Sequence, residues 1–183
     1  MLAQALAMYD SVAQRVLECD SKIEALLGAL GRHEVTLDGP AKRAGKNAPR
    51  LDLRMALARW AGVDLTCVNA LAVTSVLTVL SEIGPDLSRF DTVKHFCSWL
   101  CLCPGTKISG GKVLWARTRR CASRVRQALK MAAMSLSRNG SALGAFYRRM
   151  CARMDKPSAN TATAHKLARM VYFMLTRGED NVD

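Results

Sequence analysis

The chain has 183 residues, half of them apolar, and a formal net charge of +12. This length suits one domain with an appendage, and the apolar fraction is sufficient for a hydrophobic core. Aromatic residues make up only 5% of the chain, whereas Ala, Leu, Met and Arg are frequent, which favours helices.

The seven cysteines are an odd number, which argues against a disulfide framework and fits reduced thiols. The first residues include Gln4 and Asp10 and lack the positive region of a signal peptide. Residues 65–81 are uncharged, but they are few for a membrane span and include Asn69 and several hydroxyl side chains. We therefore expect a cytoplasmic protein without a membrane partner.

A helical arm is predicted at the start of the chain, because apolar residues recur there at alternating intervals of three and four, as in a coiled coil. This seam comprises Leu2, Ala5, Tyr9, Val12, Val16, Cys19, Ile23, Leu26 and Leu30. Since isolated helices of this kind are marginal, the seam is expected to pair with a helix of the same chain or with another chain, as in a homo-oligomer.

The first predicted domain, residues 1–50, ends in a basic loop. Gly39, Pro40 and Pro49 break the heptad pattern there, and Lys42, Arg43 and Lys46 charge the segment.

The second predicted domain, residues 51–183, is a compact set of helices, so the whole chain is expected to be all-α. A short helix is expected between the N-cap Asp52 and Gly62, and a longer one carries Val73 to Ile83 and stops at Gly84. Another runs from Val93 to Cys103, where Pro104 and Gly105 end it. Three amphipathic helices follow, from about Thr118, Ser141 and Ser158. Only residues 112–115 resemble an extended segment.

The positive charge is concentrated in the middle of the chain. Residues 101–156 contain 13 Lys and Arg against one acid, Asp155, whereas the remaining 14 basic and 14 acidic residues cancel. Such a local excess predicts a polyanionic partner: DNA, RNA or an acidic membrane surface. The alternative is a basic surface that has no partner.

The sharpest local pattern is Ser109-Gly110-Gly111, flanked by Lys107 and Lys112. Glycines let the backbone approach a phosphate closely, lysines supply point charges, and arginines can grip phosphate oxygens in pairs. A serine held there could attack a phosphodiester if a base or a metal activated it, although Ser-Gly-Gly alone is usually only a turn. Five arginines follow this loop: Arg117, Arg119, Arg120, Arg124 and Arg126. The spacing of the first, third and fourth predicts a shared helix face.

Metal-binding patterns are weak in this sequence. His95, Cys97, Cys101 and Cys103 lack zinc-site spacing and are expected to be structural. His165 is interpreted as a packing residue. Acids are too sparse near the basic segment for two-metal phosphodiester chemistry, and helix capping accounts for Asp86 and Asp91.

Several ordered motifs together resemble the C-terminal domain of the IS-one-ten insertion-sequence transposases. The resemblance covers roughly residues 51–177 and depends on segments with the order and spacing of that family. These are Gly62–Thr66, Leu80–Gly84, Phe90–Pro104, Lys107–Leu114, Arg117–Arg120, Ala145–Met150 and Thr163–Ala168.

The resemblance implies DNA recombination, with Ser109 as the nucleophile. It also implies an N-terminal RNase-H-like domain whose acidic residues bind a divalent metal such as magnesium, a structured non-coding RNA that chooses DNA sites, and a coiled-coil arm. No cofactor is expected in this chain itself. The alternative is a non-catalytic remnant or regulator that binds nucleic acid or the full-length transposase.

Two departures from the family pattern bear on function. The acidic domain is not found in the sequence, so a truncated or split copy is expected. The family's helix-hairpin-helix-like turn usually carries glycines, where this chain has Asn69, Ala70, Leu71 and Ala72. Alanines are expected to hinder a left-handed backbone there, and with it phosphate binding by that turn.

Overall fold

The computed structural model describes residues 1–37, 51–115 and 118–178, and the predicted all-α fold is confirmed. The predicted basic loop lies largely outside these residues. The described helices are α1 (Leu2–Leu30), α2 (Leu53–Ala61), α3 (Val73–Ile83), α4 (Val93–Trp99), α5 (Arg124–Ser135), α6 (Ala142–Arg153) and α7 (Lys156–Arg177), with short 3-10 helices at Leu65–Cys67 and Leu136–Arg138. The strands β1 (Lys107–Ser109) and β2 (Lys112–Trp115) form one antiparallel pair.

Helix α7 is the centre of the core. It packs against α4, α5 and α6, and α5 in turn packs against α3. Leu167, Val171 and Met174 are completely buried on α7 because their helical spacing places them on one face. The Tyr172 hydroxyl donates a hydrogen bond of 3.1 Å to the Phe90 carbonyl, which ties α7 to the segment before α4.

Side-chain caps fix where most helices begin. The predicted cap Asp52 accepts a hydrogen bond from the N–H group of Met55, and Ser141, at the predicted start of its helix, accepts one from the N–H group of Gly144. Helix α4 is capped by Thr92. Asp155 caps α7, which therefore starts at Lys156, slightly before the predicted start.

Two predicted helix limits are wrong. The helix expected from Thr118 begins only at Arg124, because Ser123 caps it and Thr118 instead forms a β-bridge with Pro104. Helix α4 ends at Trp99 rather than Cys103, since Cys101 has a left-handed backbone with φ of 53°.

Helix α1 projects most of its length into solvent. Val12 and Val16 of the predicted seam are 60% and 53% exposed, and within the described chain α1 buries only Leu27, next to α2. From Leu2 to Val16 the seam therefore does not pair with another described helix of the same chain, whereas Ile23 nearer its end packs against the core.

The turn before α3 does adopt a left-handed backbone, contrary to the expectation from its alanines. Ala70 has φ of 84°, and Leu71 N donates to the Val68 carbonyl at 3.2 Å. Burial of Val68 and Leu71 on either side holds this conformation in spite of its steric cost. This element links the short 3-10 helix to α3, as a helix-hairpin-helix-like connection does.

None of the described helices is long and apolar enough to cross a membrane.

Candidate nucleic-acid interface

The segment predicted as a polar loop forms a β-hairpin with Ser109 beside its tip. Ser109 pairs with Lys112 across a two-residue connection, and Ile108 pairs with Val113. The connecting Gly110 and Gly111 have φ of 55° and 74°. Positive φ at both positions is typical of the type I′ turn, which matches the twist of paired strands. The glycines that read as loop punctuation are thus the reason for the hairpin.

The hairpin is exposed on both strands. Its apolar side chains face solvent, with Ile108 at 65% and Leu114 at 68% exposure. Ser109 is also exposed, and within the described residues its hydroxyl makes no hydrogen bond. A phosphate could therefore reach the hydroxyl freely, while an activating base must come from elsewhere.

Two of the predicted phosphate-binding cations meet at the base of the hairpin. Lys107 and Arg119 line one cleft of about 550 Å³, together with Trp115 and Thr106. Lys112 lies beside Ser109 at the other end of the strands. We call Lys107, Lys112 and Arg119 the hairpin cluster. These side chains form no ion pair with any acid in the described residues, so their charge is available to a polyanion.

The predicted single face of arginines does not form. Arg120 is exposed and precedes α5, so it shares no helix face with Arg124. Arg117 lies outside the described residues. Arg124 Nε donates to Glu82 Oε1 at 2.9 Å, and Glu82 Oε2 accepts from Val125 N at 3.2 Å. Arg124 is therefore paired with Glu82 in this structure, although its side chain remains 81% exposed.

Arg126 has a different environment from the other arginines. It is partly buried, and its Nη1 donates a long bond of 3.5 Å to the Cys121 carbonyl. It faces a groove between α5 and α7 instead of the hairpin. The structure thus divides the predicted basic segment into separate surfaces.

The cysteines and acids do not assemble a metal site in the described chain. There, no three His, Cys, Asp or Glu side chains are arranged to hold a metal ion. Cys97 is completely buried, and burial raises the pKa of its thiol to about 12. His95 is exposed and 3.7 Å from Asp91. The side chains around Ser109 are mainly cationic and do not fit a divalent cation.

The segment that contains the hairpin is similar to a known protein family. The family model of the Transposase IS116/IS110/IS902 family matches residues 65–148. Residues 65–148 are therefore similar to a domain of this transposase family. No curated protein sequence matches the chain.

The matched transposase segment extends from the 3-10 helix through α3, α4, the hairpin and α5 into α6. It includes Ser109 and the hairpin cluster. The match supports a general role in DNA transposition or recombination, which involves contact with DNA. The predicted family resemblance is thereby confirmed for these residues.

Two polar residues, Glu82 and Asn160, have roles in the structure that the sequence patterns did not indicate. Glu82 accepts a hydrogen bond from the N–H group of Val125, 43 positions further along the chain, and so caps α5. Asn160 was not singled out, although it is buried on α7 with its Oδ1 atom unpartnered. The sequence signal for Asn160 is its amide side chain on the buried face of α7. A buried polar group needs a hydrogen-bond partner, so such a position draws attention to a binding site.

Proposed function

We propose that this chain supplies the nucleophilic serine for DNA strand transfer in transposition, in the bacterial cytoplasm. The observation that carries the proposal is an exposed serine at the tip of a cationic hairpin, within a segment of a transposase family. The cations are expected to hold the DNA backbone while the hydroxyl approaches phosphorus.

The chemistry is a transesterification. Ser109 Oγ forms a bond to a DNA phosphorus, the bond from that phosphorus to a deoxyribose oxygen breaks, and the oxygen leaves with a proton. The serine proton passes to a base. The products are a phosphoserine–DNA link and a free DNA hydroxyl, which can later reverse the attack on a new strand. No oxidation is involved, and a phosphodiester is conserved at each step.

The family resemblance implies that acidic, metal-binding groups come from an RNase-H-like domain. The residues around Ser109 do not supply them, so we assign no step to a metal in this chain. A structured RNA that selects DNA sites is also part of the proposal, since a basic helical domain suits contacts with both backbones.

A reconstitution experiment tests the proposal. The chain is mixed with a separately expressed acidic domain of the family, the element's RNA, magnesium and end-labelled donor DNA. We expect a DNA–protein adduct that resists denaturation and is lost in Ser109→Ala. Ser137→Ala, which removes another exposed hydroxyl, is the matched control and should retain the adduct. An undiminished adduct in Ser109→Ala would contradict the assignment.

A non-catalytic role is the second candidate, and a specific observation favours it: no described side chain within hydrogen-bonding reach can activate Ser109. In this case the chain binds nucleic acid or full-length transposase and represses transposition. The same mixture separates the two candidates. DNA binding without any adduct, together with inhibition of a complete transposase, supports the repressor.

Self-association through α1 belongs to the same proposal. Its seam is apolar and exposed from Leu2 to Val16, and pairing with a second copy would bury that surface. Sedimentation of the intact chain should show an oligomer that Val16→Asp dissociates. Gln14→Asp, which lies off the seam on the same helix, should leave it intact. A monomeric unmutated chain removes this part of the proposal.

A further inference from the structure

A continuous groove crosses the molecule and meets the cleft at the base of the hairpin at Pro104. A cavity of about 550 Å³ beside Phe146 and Phe173 shares Pro104 and Ala162 with a second cavity of about 670 Å³. The second shares Arg126 and Lys130 with a third, of about 310 Å³. We call this surface the α5–α7 groove, since these two helices supply most of its polar lining.

The groove is strongly cationic. Arg126, Lys130, Lys166 and Arg169 line it, and the described lining residues include no carboxylate. In the described chain none of these four cations forms an ion pair. Lys166 Nζ instead lies 4.8 Å from the centre of the Phe146 ring. Unneutralised cations in a concave surface concentrate potential and attract an anion.

Two buried polar atoms in the groove have no partner. They are Arg126 Nε and Asn160 Oδ1, and both residues line the smallest cavity. Asn160 is only 7% exposed. A buried polar group without a hydrogen bond is costly, and such groups are rare in folded proteins unless a ligand or water satisfies them. A ligand that inserts a polar edge here would satisfy the guanidinium and the amide together.

Apolar side chains accompany the cations along the groove. Met131 and Met134 line the Asn160 cavity, and Met170 and Phe173 line the far end. Alternation of cations with apolar and aromatic surfaces is the pattern that binds phosphates and bases of a single strand. Paired bases keep their Watson–Crick edges inside a duplex and remain stacked, so only an unpaired base can enter a pocket and reach a buried amide.

We propose that the α5–α7 groove binds an unpaired stretch of nucleic acid. Phosphates lie along the four cations, and one base enters the Asn160 cavity, where its edge bonds to the Asn160 amide and to Arg126 Nε. An amide offers both donors and an acceptor, so this cavity selects among bases. The inference rests on the proposed function only in that the partner is a nucleic acid.

The test compares binding of fluorescein-labelled single-stranded DNA, single-stranded RNA and duplex DNA of one mixed sequence by anisotropy. The charge-reversal pair Lys130→Glu and Arg169→Glu should weaken single-strand binding by about tenfold or more, with a much smaller effect on duplex binding. Lys156→Glu plus Arg177→Glu, which makes the same charge change on exposed residues outside the groove lining, is the matched control and should weaken it far less.

Asn160→Asp tests the base pocket itself. It preserves shape and replaces the amide by a carboxylate, so it should reduce single-strand affinity and abolish differences among homopolymers of the four bases. Because Asn160 is buried, thermal unfolding must accompany the measurement. If this variant melts early, Met131→Trp, at an exposed rim position, should block the cavity and lower single-strand affinity instead.

The outcomes separate this inference from the proposed function. Removal of the hairpin lysines, by Lys107→Ala plus Lys112→Ala, should leave single-strand affinity within about twofold of wild type. Single-strand binding that is indifferent to the groove variants overturns the groove and leaves Ser109 untouched. If no DNA–protein adduct forms but the groove variants still weaken single-strand binding, the proposed function of Ser109 fails and the groove inference stands. If the groove variants weaken the binding of single-stranded DNA and RNA equally, the groove accepts either nucleic acid. A larger loss of affinity for one of them identifies that one as the ligand.

Discussion

Glu82 on α3 and Val125 on α5 are joined by a hydrogen bond of 3.2 Å from the Val125 N–H to the carboxylate. The same carboxylate pairs with Arg124, so an acid from one helix caps the first turn of another. The helix that follows the hairpin is therefore fixed to α3 by this contact as well as by Ser123, its local cap.

Replacement of Glu82 by Ala should destabilise the fold by about 1–2 kcal/mol, because it leaves a helix N–H without its partner. Arg124→Ala should cost less than about 0.5 kcal/mol, since the exposed ion pair contributes little. Urea unfolding of both variants measures the difference. A larger cost for Arg124→Ala than for Glu82→Ala would mean that the ion pair, rather than the cap, is the important contact.

Gly144 is tightly enclosed by neighbouring backbone atoms. A Cβ atom at this position would clash with the Asn139 carbonyl oxygen, a backbone atom that cannot easily move. Gly144→Ala should therefore destabilise the fold by about 2–3 kcal/mol. Gly140→Ala, where the Cβ would meet nothing within 4 Å, is the control and should have little effect. Thermal melts that show equal losses for the two variants would refute the close packing of α6 against this turn.

Ala70 has a left-handed backbone that costs an alanine about 1–2 kcal/mol. Ala70→Gly should relieve this strain. The greater entropy of glycine in the unfolded chain offsets part of the gain, so the net stabilisation of the fold should be about 0.5–1 kcal/mol. Ala56→Gly in the middle of α2 should instead destabilise by about 1 kcal/mol. If chemical denaturation shows that both substitutions destabilise, Ala70 does not adopt the left-handed conformation.

Burial, together with the charge of Arg169, lowers the pKa of His165 below its usual value of 6.5. The unfolded chain then binds a proton at a pH where the folded chain does not, so stability declines as the pH falls below about 6.5. His165→Gln should reduce this decline, whereas His95→Gln, at an exposed position, should retain it. Unfolding free energies measured at about pH 7.5 and at about pH 5.5 test this. An identical decline in His165→Gln would show that other groups cause it.

Local patterns predicted much of the fold. Asp52, Gly62 and Ser141 lie at the predicted helix ends because caps depend on a few adjacent residues. The start of α5 was misjudged because Cys121 continues the apolar spacing of that helix backwards. The second strand lies at the predicted extended segment, residues 112–115, whereas the first strand was interpreted as a loop because it is exposed and has no buried face to produce alternation.

The candidate site was only partly predictable. Ser109 and its lysines are adjacent in sequence, so their clustering could be anticipated. Arg124 forms an ion pair with Glu82, and Arg126 lines the same cavity as Asn160. Both arrangements bring together helices that are distant along the chain. Such contacts arise from tertiary packing, which a charge count does not contain.

The cations around the Ser109 hydroxyl are proposed to hold a DNA backbone. The salt dependence of duplex binding tests this proposal most directly. The affinity of the intact chain should fall steeply with salt, and the triple variant Lys107→Ala, Lys112→Ala, Arg119→Ala should reduce the slope of log affinity against log salt by about 2–3. Removal of Arg15, Lys22 and Arg177, an equal charge outside the hairpin, should change it far less. A slope unaltered by loss of the hairpin cluster, or an affinity independent of salt, would contradict the account.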